Sequence, residues 1–592
     1  IVTTYGYNSA RQLVETIRSA TETTPETITS YTRDATGRII SIRCDTGAMT
    51  TMESTEYDNL GRVISSTDIL GRVTRTQYND NQLTTTVTTP TGATLITKRY
   101  YDGTTLWLGG TGQGKVETQL ELTEEGILTT TLSQGIVLSR SVENGFGQTV
   151  RQETPNTKGG FVATNNTYNA RGQLVRSQVE DIAPTITDYN ELGRAVRQTV
   201  RLNELHPDEP AKNRITENSM RYQLREDGIY QVQTATTYNA QGRPLTQVTE
   251  NMVSQLDSVI ESKIISTDVL GQQSIQWTEY TAATKRTQFS SIPTSTIVAE
   301  ALMVDRFTVS QTSHAGIHSS QNRSYVSTGM ILKQTDARGN ITTSETDLAG
   351  RHCKVTDSAG NVTTTSYMPC CDAVARITNA TGGTTCYSYD IRGRKTAEYG
   401  TAIQPACFAY DEADHMVALT TFRAQEGDIT SDPSDRTDGD TTTWLYDTAT
   451  GLELKKTYAD GSYVSKTYDR LNRLETLTKA RGIVTTYQYA PATGELVSVS
   501  HSDNTQPWLY SYNHLGQMTS VYDASGTREL CYDAYGRTQQ NNSFGTVESC
   551  IQEEYDAFGR PCGYRLMIGT RTVQYSHLDY GHQGAMIGMN ME

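Results

Sequence analysis

The chain has 592 residues and a formal net charge of −15 at pH 7, with 66 Asp and Glu against 51 Lys and Arg. Such an acidic chain lacks the basic face that phosphate contacts need, so we expect no nucleic-acid partner. Removing the 34 Tyr from the 35% hydrophobic share and adding the 47 Gly gives roughly 37%, below the about 45–50% of globular domains. We therefore expect a thin sheet whose two faces meet solvent, and no thick core.

The first residues read as strand. Residues 7–11, Tyr-Asn-Ser-Ala-Arg, have the layout of turns found further along, with an arginine in the place of a glycine, and we expect a strand to follow. A short amphipathic helix over Leu13, Val14 and Ile17 is the alternative. The chain starts at Ile1, without Met and in the middle of this pattern, so we expect a fragment of a longer protein.

Residues 57–78 contain the same turn twice. Asp58 precedes Gly61 by three positions, and the same spacing returns ten positions further on with Asp68 and Gly71. Aspartate suits a hairpin turn because its carboxylate accepts backbone N–H bonds, and glycine suits it because the turn needs a positive φ. The flanking residues are β-branched and largely alternating, which is typical of strands. One repeat is therefore one short strand plus one tight turn.

This unit recurs along most of the chain, as Tyr-Asp-x-x-Gly-Arg or as a half-repeat without the tyrosine. We expect the turns to alternate between the two edges of a growing sheet, and the tyrosine rings to pack as a ladder with their hydroxyls on the wet side. The predicted structural turn residues are Asp58, Gly61, Asp68, Gly71, Gly172, Gly193, Gly242, Gly339, Gly350, Gly360, Asp390, Gly393, Asp533, Gly536, Asp556 and Gly559. The predicted tyrosine ladder is Tyr57, Tyr168, Tyr238, Tyr389, Tyr468, Tyr532 and Tyr555.

A possible phosphate loop lies at residues 109–116, which fit G-x-x-x-x-G-K but have Val116 where Ser or Thr would bind magnesium. Residues 116–123 alternate like a strand, whereas the motif requires a helix whose N-terminus holds the phosphate. We therefore predict no nucleotide site here.

The regularity of the repeats divides the chain into four segments of one continuous sheet. We predict strands of the full repeat over 1–80, divergent β repeats over 81–165, degenerate repeats with insertions over 166–330, and regular repeats over 331–592.

Reactive side chains form no recognisable catalytic motif, and neither H-E-x-x-H nor G-x-S-x-G occurs. We predict no catalytic residue, no cofactor and no metal. The nine cysteines contain no C-x-x-C pair, so we expect buried free thiols, with one or two disulfides as the alternative. His314 and His318 are four apart, but their surroundings favour a loop over a metal-binding helix.

Two further features have alternatives that stay open. The acidic segment 428–440 predicts a solvated loop between strands, with a calcium site as the alternative. Trp107, Trp444 and Trp508 are expected as packed strand residues, with stacking on sugars as the alternative.

The repeated Tyr-Asp-x-x-Gly-Arg turn, followed by a β-branched strand and a second Asp-x-x-Gly ten residues on, resembles the YD-repeat of the Rhs and teneurin families. The resemblance implies an all-β fold, a long spiralling antiparallel β-sheet of hairpin repeats that forms a hollow shell, cage-like or barrel-like, or part of one. It also implies a non-enzymatic shell segment of a secreted bacterial protein that encloses a C-terminal toxin or effector domain. The self-cleaving motif D-P-x-G-x-x-G-G of that family has no counterpart after Tyr555, so the domain would lie beyond residue 592.

The alternative function is an extracellular scaffold or adhesin whose outer loops bind carbohydrate or a cell surface. In both cases we expect a secreted or cell-surface protein, although no export signal is visible, and no run of apolar residues is long enough to span a bilayer. The expected partner is the intramolecular cargo, and a cell-surface glycan or protein in the alternative.

Overall fold

The computed structural model describes residues 2–19, 26–255, 260–281, 284–291, 295–304, 307–314, 317–326, 329–336, 338–422, 431–545, 547–580 and 586–591. These residues form 50 strands, and each strand pairs antiparallel with the next one along the chain. The sheet is therefore one continuous meander. Within the described ranges the one helical element is a single 3-10 turn, Pro433–Asp435.

The strands before the middle of the chain are β1 Thr3–Tyr7, β2 Leu13–Arg18, β3 Thr27–Arg33, β4 Ile39–Asp45, β5 Thr50–Tyr57, β6 Val63–Thr67, β7 Val73–Asn79, β8 Thr84–Thr88, β9 Thr94–Arg99, β10 Thr105–Gly109, β11 Val116–Thr123, β12 Gly126–Ser133, β13 Ile136–Glu143, β14 Thr149–Pro155, β15 Phe161–Tyr168, β16 Leu174–Val179, β17 Thr185–Tyr189, β18 Ala195–Val200, β19 Arg214–Leu224, β20 Gly228–Tyr238, β21 Pro244–Gln255, β22 Ile260–Thr267, β23 Gln273–Thr281, β24 Thr284–Ser291 and β25 Ser295–Val304.

The strands that follow are β26 Phe307–His314, β27 Ile317–Val326, β28 Gly329–Thr335, β29 Ile341–Thr346, β30 His352–Thr356, β31 Val362–Tyr367, β32 Val374–Thr378, β33 Thr384–Tyr389, β34 Lys395–Tyr399, β35 Ala406–Tyr410, β36 Met416–Thr421, β37 Asp440–Tyr446, β38 Glu453–Thr457, β39 Tyr463–Tyr468, β40 Leu474–Thr478, β41 Val484–Tyr489, β42 Leu496–His501, β43 Trp508–Tyr512, β44 Met518–Asp523, β45 Gly526–Tyr532, β46 Thr538–Gly545, β47 Ser549–Tyr555, β48 Pro561–Ile568, β49 Arg571–Tyr580 and β50 Met586–Met591.

The start of the chain is a hairpin, and the helical alternative for it is wrong. β2 covers residues 13–18 and pairs with β1 from Thr3 opposite Arg18 to Tyr7 opposite Leu13. A lone amphipathic helix of one or two turns would be marginal in water, whereas the strand gains ladder hydrogen bonds on both sides, from β1 and from β3.

Few side chains are fully buried, as a thin sheet requires. The largest group of buried apolar residues is Tyr230, Val232 and Ile265, with Val248 and Met252 among the partly buried residues that pack against it. This cluster lies across β20 to β22, two of which are 11 and 12 residues long. The buried cluster thus lies where the strands are long.

The sheet winds back on itself after 25 strands. The turn between β6 and β7 contacts the turn between β31 and β32, because Arg72 Nη1 donates to Asp372 Oδ1 over 2.9 Å. Further along, Asn239 Nδ2 donates to the Ala534 carbonyl over 2.8 Å, and Gln272 Nε2 donates to the Ala557 carbonyl over 3.1 Å. We call this line of contacts between residues about 300 apart the seam. On one side of the seam are turns that follow even-numbered strands, between β6 and β22. On the other side are turns that follow odd-numbered strands, between β31 and β47.

Pairing is continuous wherever the four predicted segments meet. β7 pairs with β8 on either side of residue 80, and residues 165 and 330 lie inside β15 and β28. The segments are stretches of one sheet.

Candidate functional site

The repeated turn is a clamp made by one carboxylate. In the turn after β5, Asp58 Oδ1 accepts the backbone N–H groups of Leu60 and Arg62, both over 2.9 Å. Asp58 Oδ2 accepts Arg62 Nε over 2.7 Å. The predicted turn aspartates Asp68, Asp390, Asp533 and Asp556 make the same three contacts with the residues two and four positions on.

The glycine of the turn has a left-handed backbone. Gly393 has φ +82°, and its N–H donates to the Asp390 carbonyl over 3.0 Å. A side chain strongly disfavours this conformation, above all a β-branched one. The structure places all the predicted turn glycines at φ between +78° and +85°: Gly61, Gly71, Gly172, Gly193, Gly242, Gly339, Gly350, Gly360, Gly393, Gly536 and Gly559.

The tyrosine hydroxyls do not simply reach the wet side, as the sequence suggested. Six of the seven predicted ladder residues donate instead to a backbone carbonyl 14 to 19 positions earlier, over 2.6–3.1 Å: Tyr57, Tyr168, Tyr389, Tyr468, Tyr532 and Tyr555. Tyr238 donates to the Glu217 carboxylate over 2.7 Å. Tying each repeat to the one before it satisfies a hydroxyl that burial has partly removed from water.

The arginine after the turn glycine is a structural residue to which the sequence analysis gave no role. Arg537 binds Asp533 of its own turn and lies over the ring of Tyr555 at the end of β47, 4.2 Å from its centroid. Arg560 repeats this with Asp556 and Tyr580, at 4.3 Å. The sequence motif contains the arginine, but it does not indicate that the arginine contacts the tyrosine at the end of a later strand. In these repeats the aspartate, the arginine and the next tyrosine contact one another in series.

Acid should loosen these clamps. Although burial opposes ionisation, hydrogen bonds from the Arg537 side chain and from two backbone N–H groups hold the pKa of Asp533 below its usual value. The stability that this carboxylate contributes is therefore fully present above its unfolded pKa of about 3.9 and is lost as pH falls through the lower folded pKa. We expect D533N to cost about 1–2 kcal/mol at pH 7, measured by urea unfolding, and the difference from wild type to shrink towards zero below about pH 4.

The control for this prediction is D102N. Asp102 accepts the N–H of Thr104 over 2.8 Å, and no arginine clamp to it is seen among the described residues. Asparagine already occupies the clamp position of other turns, at Asn169 and Asn513, so we expect D533N to fold. A D533N penalty that stayed constant from pH 7 to pH 3 would contradict the ionic clamp.

The seam combines charged and backbone contacts. Arg214, at the start of β19, pairs with Glu495 and donates from Nε to the His514 carbonyl over 2.7 Å. His514 in turn contacts the Pro210 carbonyl over 3.0 Å. Elsewhere Lys158 Nζ pairs with a Glu475 carboxylate oxygen over 2.7 Å. These bonds join two circuits of the sheet where no strand pairing does.

The glycine-rich residues 109–116 have a place at the seam. They end β10 and lead into β11, so the predicted strand over 116–123 is confirmed. A Cβ atom on Gly114 would lie 2.7 Å from the Glu412 carbonyl oxygen of the other circuit. Gly114 therefore permits close approach of two backbones, which gives this glycine of the motif a packing role.

A cavity of about 760 Å³ opens at the seam where the turn between β37 and β38 faces the turn between β12 and β13. Its apolar wall includes Leu108 and Ile136 from one circuit and Trp444 from the other. The stacked rings of His415 and Tyr446, 4.7 Å apart, line it as well. The cavity interrupts the seam at this point.

The remaining sequence candidates lie apart from one another. His314 ends β26 and His318 lies in β27, so the prediction that they lie in a loop is wrong; the two strands pair with His314 opposite Ile317. Trp107 and Trp444 are half-buried on strands, but Trp508 is 48% exposed. The prediction that Trp508 packs is therefore wrong, because it begins β43 at the end of a loop.

The acidic segment is described from residue 431 onwards; its first residues, 428–430, lie outside the described ranges. Asp432 caps the 3-10 turn by accepting the Ser434 N–H, and Asp438 pairs with Arg436 over 2.6 Å. Among the described residues no group of His, Cys, Asp or Glu is placed to hold a metal. All nine cysteines are free thiols, and they are half-buried except for the exposed Cys531.

Comparison with known proteins supports the repeat and the fold. The family model "RHS Repeat" matches residues 57–94, and no curated protein sequence matches. A crystal structure of TcdB2-TccC3-Cdc42 is similar over 99% of this chain and 38% of that chain, with 11% identity and a TM-score of 0.50. A crystal structure of TcdB2-TccC3 without its hypervariable C-terminal region is similar over 99% of this chain and 37% of that chain, with 11% identity and a TM-score of 0.49. The structure of the Tc holotoxin pore of Photorhabdus luminescens is similar over 97% of this chain and 34% of that chain, with 12% identity and a TM-score of 0.35.

Our chain thus spans about two fifths of the length of the chain in the first of these structures. The low identity makes this a likeness of fold. No helix within the described residues has the length and apolar character needed to cross a bilayer.

Proposed function

We propose that this chain, which carries the RHS repeat, forms part of the wall of a hollow shell that encloses a separate protein domain. The observation that carries the proposal is the seam, which shows that the sheet returns to its own edge after 25 strands.

The size of one circuit supports a hollow interior. Neighbouring strands lie about 4.8 Å apart, so 25 strands give a circumference of about 120 Å and a diameter of about 38 Å. Side chains just fill a barrel of about eight strands. A circuit three times as wide keeps an open lumen.

The lumen suits a compact guest. Subtracting a side-chain layer of about 5 Å leaves an inner radius of about 14 Å. A folded domain of about 65 residues has a radius of gyration of about 11 Å, which for a solid sphere is an outer radius of about 14 Å, whereas its unfolded chain has a radius of gyration of about 25 Å. A wall of this size therefore supports holding a small or compacted domain and excluding an expanded one.

The wall itself acts structurally in this proposal. The turn residues and the tyrosine ladder determine the structure of the wall. The four segments 1–80, 81–165, 166–330 and 331–592 are regions of the wall whose repeats differ in regularity. No residue of the wall catalyses a reaction in this proposal. We propose that the guest is a C-terminal toxin or effector domain beyond residue 592, in a secreted or cell-surface protein. The likeness in fold to TcdB2-TccC3-Cdc42 supports this assignment.

The test is electron microscopy of the full-length parent protein, together with limited proteolysis. We expect density inside a continuous β-wall, and a C-terminal domain that resists protease in the intact protein but is digested once the wall is unfolded in urea. An open spiral with an empty interior, and a C-terminal domain cut at the rate of the isolated domain, would contradict the shell.

Exposed aromatic residues favour adhesion as the second candidate. Tyr101, at the tip of the turn between β9 and β10, is 96% exposed, and Trp508 is 48% exposed. Rings on loops provide apolar surface for a partner. Binding to a glycan array that is lost in W508A and Y101A, but kept in the control Y222A, which removes an exposed ring within a strand and not at a loop, would move the assignment to a surface adhesin.

A further inference from the structure

The turn between β31 and β32 departs from every rule of the repeat. It reads Met-Pro-Cys-Cys-Asp-Ala over residues 368–373, without the aspartate and the glycine of the clamp. Tyr367 pairs with Val374, which leaves six residues in the turn, whereas Tyr389 pairs with Lys395 and leaves five. The turn is closed by Met368 N–H donating to the Ala373 carbonyl over 2.8 Å.

Two thiols meet in this turn. The sulfur atoms of Cys370 and Cys371 lie 3.8 Å apart, and both residues are half-buried. Burial and the neighbouring sulfur raise the pKa of the Cys370 thiol, which keeps it protonated at neutral pH. Forming a disulfide requires the two sulfurs to approach to about 2.05 Å.

A disulfide between neighbouring residues is strained. Adjacent Cα atoms are about 3.8 Å apart, below the usual range of about 4.4–6.8 Å for a disulfide. Strain of this kind makes the bond easy to reduce, a property of labile and regulatory disulfides. The pair therefore has two accessible states, the dithiol and a readily reversed disulfide.

The dithiol stands beside a charged contact of the seam. Asp372 Oδ1 accepts Arg72 Nη1 of the other circuit over 2.9 Å and Arg351 Nη1 of its own circuit over 3.0 Å. Arg351 Nη1 also donates to the Cys371 carbonyl over 3.2 Å. The disulfide ring closes through the peptide group that joins Cys370 to Cys371, immediately before that carbonyl. A turn of this peptide is therefore expected to shift the Cys371 carbonyl and Asp372 relative to both arginines.

We propose that Cys370 and Cys371 form a redox-active vicinal pair whose oxidation by a low-molecular-weight disulfide, such as glutathione disulfide, loosens the seam between Asp372 and Arg72. One cysteine, as thiolate, attacks a sulfur of the oxidant, breaks its S–S bond and releases one glutathione. The second cysteine attacks the mixed disulfide and releases the other glutathione. The two protons of the cysteine thiols end on the two glutathiones, the protein loses two electrons, and the oxidant gains them. This inference does not depend on the shell having a guest.

The chain offers a direct chemical readout. Trypsin cuts after Lys354 and Arg376, and the peptide 355–376 contains no cysteine other than this pair. The purified chain is incubated with glutathione disulfide and glutathione and alkylated with iodoacetamide. It is then digested with trypsin without reduction, and the peptide masses are measured by mass spectrometry. We expect peptide 355–376 to be two hydrogens lighter than the dithiol and to carry no alkyl group, while the single-cysteine peptides with Cys386 and Cys407 carry one each.

A second probe tests proximity without oxidation. Phenylarsine oxide binds two neighbouring thiols with loss of one water, so one equivalent should protect both cysteines from alkylation. Two alkyl groups on peptide 355–376 after the arsenical, or two separate glutathiones after the disulfide, would overturn the vicinal pair.

The effect on the seam is measured by hydrogen exchange on the same oxidised sample. We expect amides of residues 68–72 and 368–373 to exchange about two- to fivefold faster than in the dithiol, as the loss of an exposed ion pair allows. The matched variant C370S should keep the slow exchange in both buffers, and D372N should show the fast exchange in both. Unchanged exchange in an oxidised wild-type chain would overturn the coupling to the seam.

Discussion

Replacing Gly61, Gly393 and Gly536 together with valine is expected to remove most of the cooperative unfolding transition. Each glycine holds φ between +79° and +84°, and a β-branched residue forced into that region costs about 1–3 kcal/mol. Three such turns therefore amount to a large part of the 5–15 kcal/mol that stabilises a typical domain. The melting temperature and the far-ultraviolet circular dichroism of the triple variant provide the measurement.

Two controls separate backbone strain from crowding. At Gly393 an added Cβ meets no atom within 4 Å, so G393V alone reports the strain. Gly145 is exposed, has open space around it and lies outside the positive-φ residues, so G145V should melt within a degree or two of wild type. Equal melting of the triple variant and G145V would remove the assignment of these turns.

The local parts of the fold could be predicted from sequence because they are encoded within ten residues. Alternation of β-branched residues specifies the strand, and the aspartate and glycine specify the turn. The same reasoning identified residues 116–123 as a strand against a misleading glycine-rich motif. The hydroxyl of the ladder tyrosines could not be placed from the sequence, since its acceptor lies in the preceding repeat.

The seam could not be predicted, because its register depends on a global quantity. The number of strands in one circuit follows from the sum of small twists and bends between neighbouring strands, and no short motif encodes that sum. Arg214 and Glu495 are 281 positions apart, and nothing near either residue marks the other as its partner. The role of Gly114 was hidden for the same reason, since the backbone it approaches belongs to the other circuit.

This difference separates two kinds of stability in the molecule. Strand pairing joins neighbours in sequence, and every turn supports its own hairpin, so the stability of each hairpin depends first on its own turn. The seam joins distant segments through side chains and single carbonyls. The seam can therefore open while the strands stay paired, so we expect the two circuits of the wall to separate along the seam.

Replacing Arg214 with alanine is expected to open the seam at one place without unfolding the sheet. Hydrogen bonds from Thr493 and Arg214 lower the pKa of Glu495 against the effect of burial, so the carboxylate is charged at neutral pH. The side chain of Glu495 is only 18% exposed, and removing its cation leaves a poorly solvated charge. We expect a local loss of about 2–3 kcal/mol, seen as hydrogen exchange about 30- to 150-fold faster in the turns around residues 210–214 and 492–495.

The matched control is K212A, two residues away. Lys212 pairs with Glu209 in its own loop over 2.8 Å, so its loss should leave exchange at residues 492–495 unchanged. G114V attacks another point of the seam by adding bulk against the Glu412 carbonyl, and we expect it to accelerate exchange at residues 411–414 while residues 492–495 keep their protection. If R214A and K212A exchanged alike at residues 492–495, the two circuits would not be coupled through Arg214. If R214A instead accelerated exchange in every strand, the seam would be part of the cooperative fold and not a line along which the wall can part.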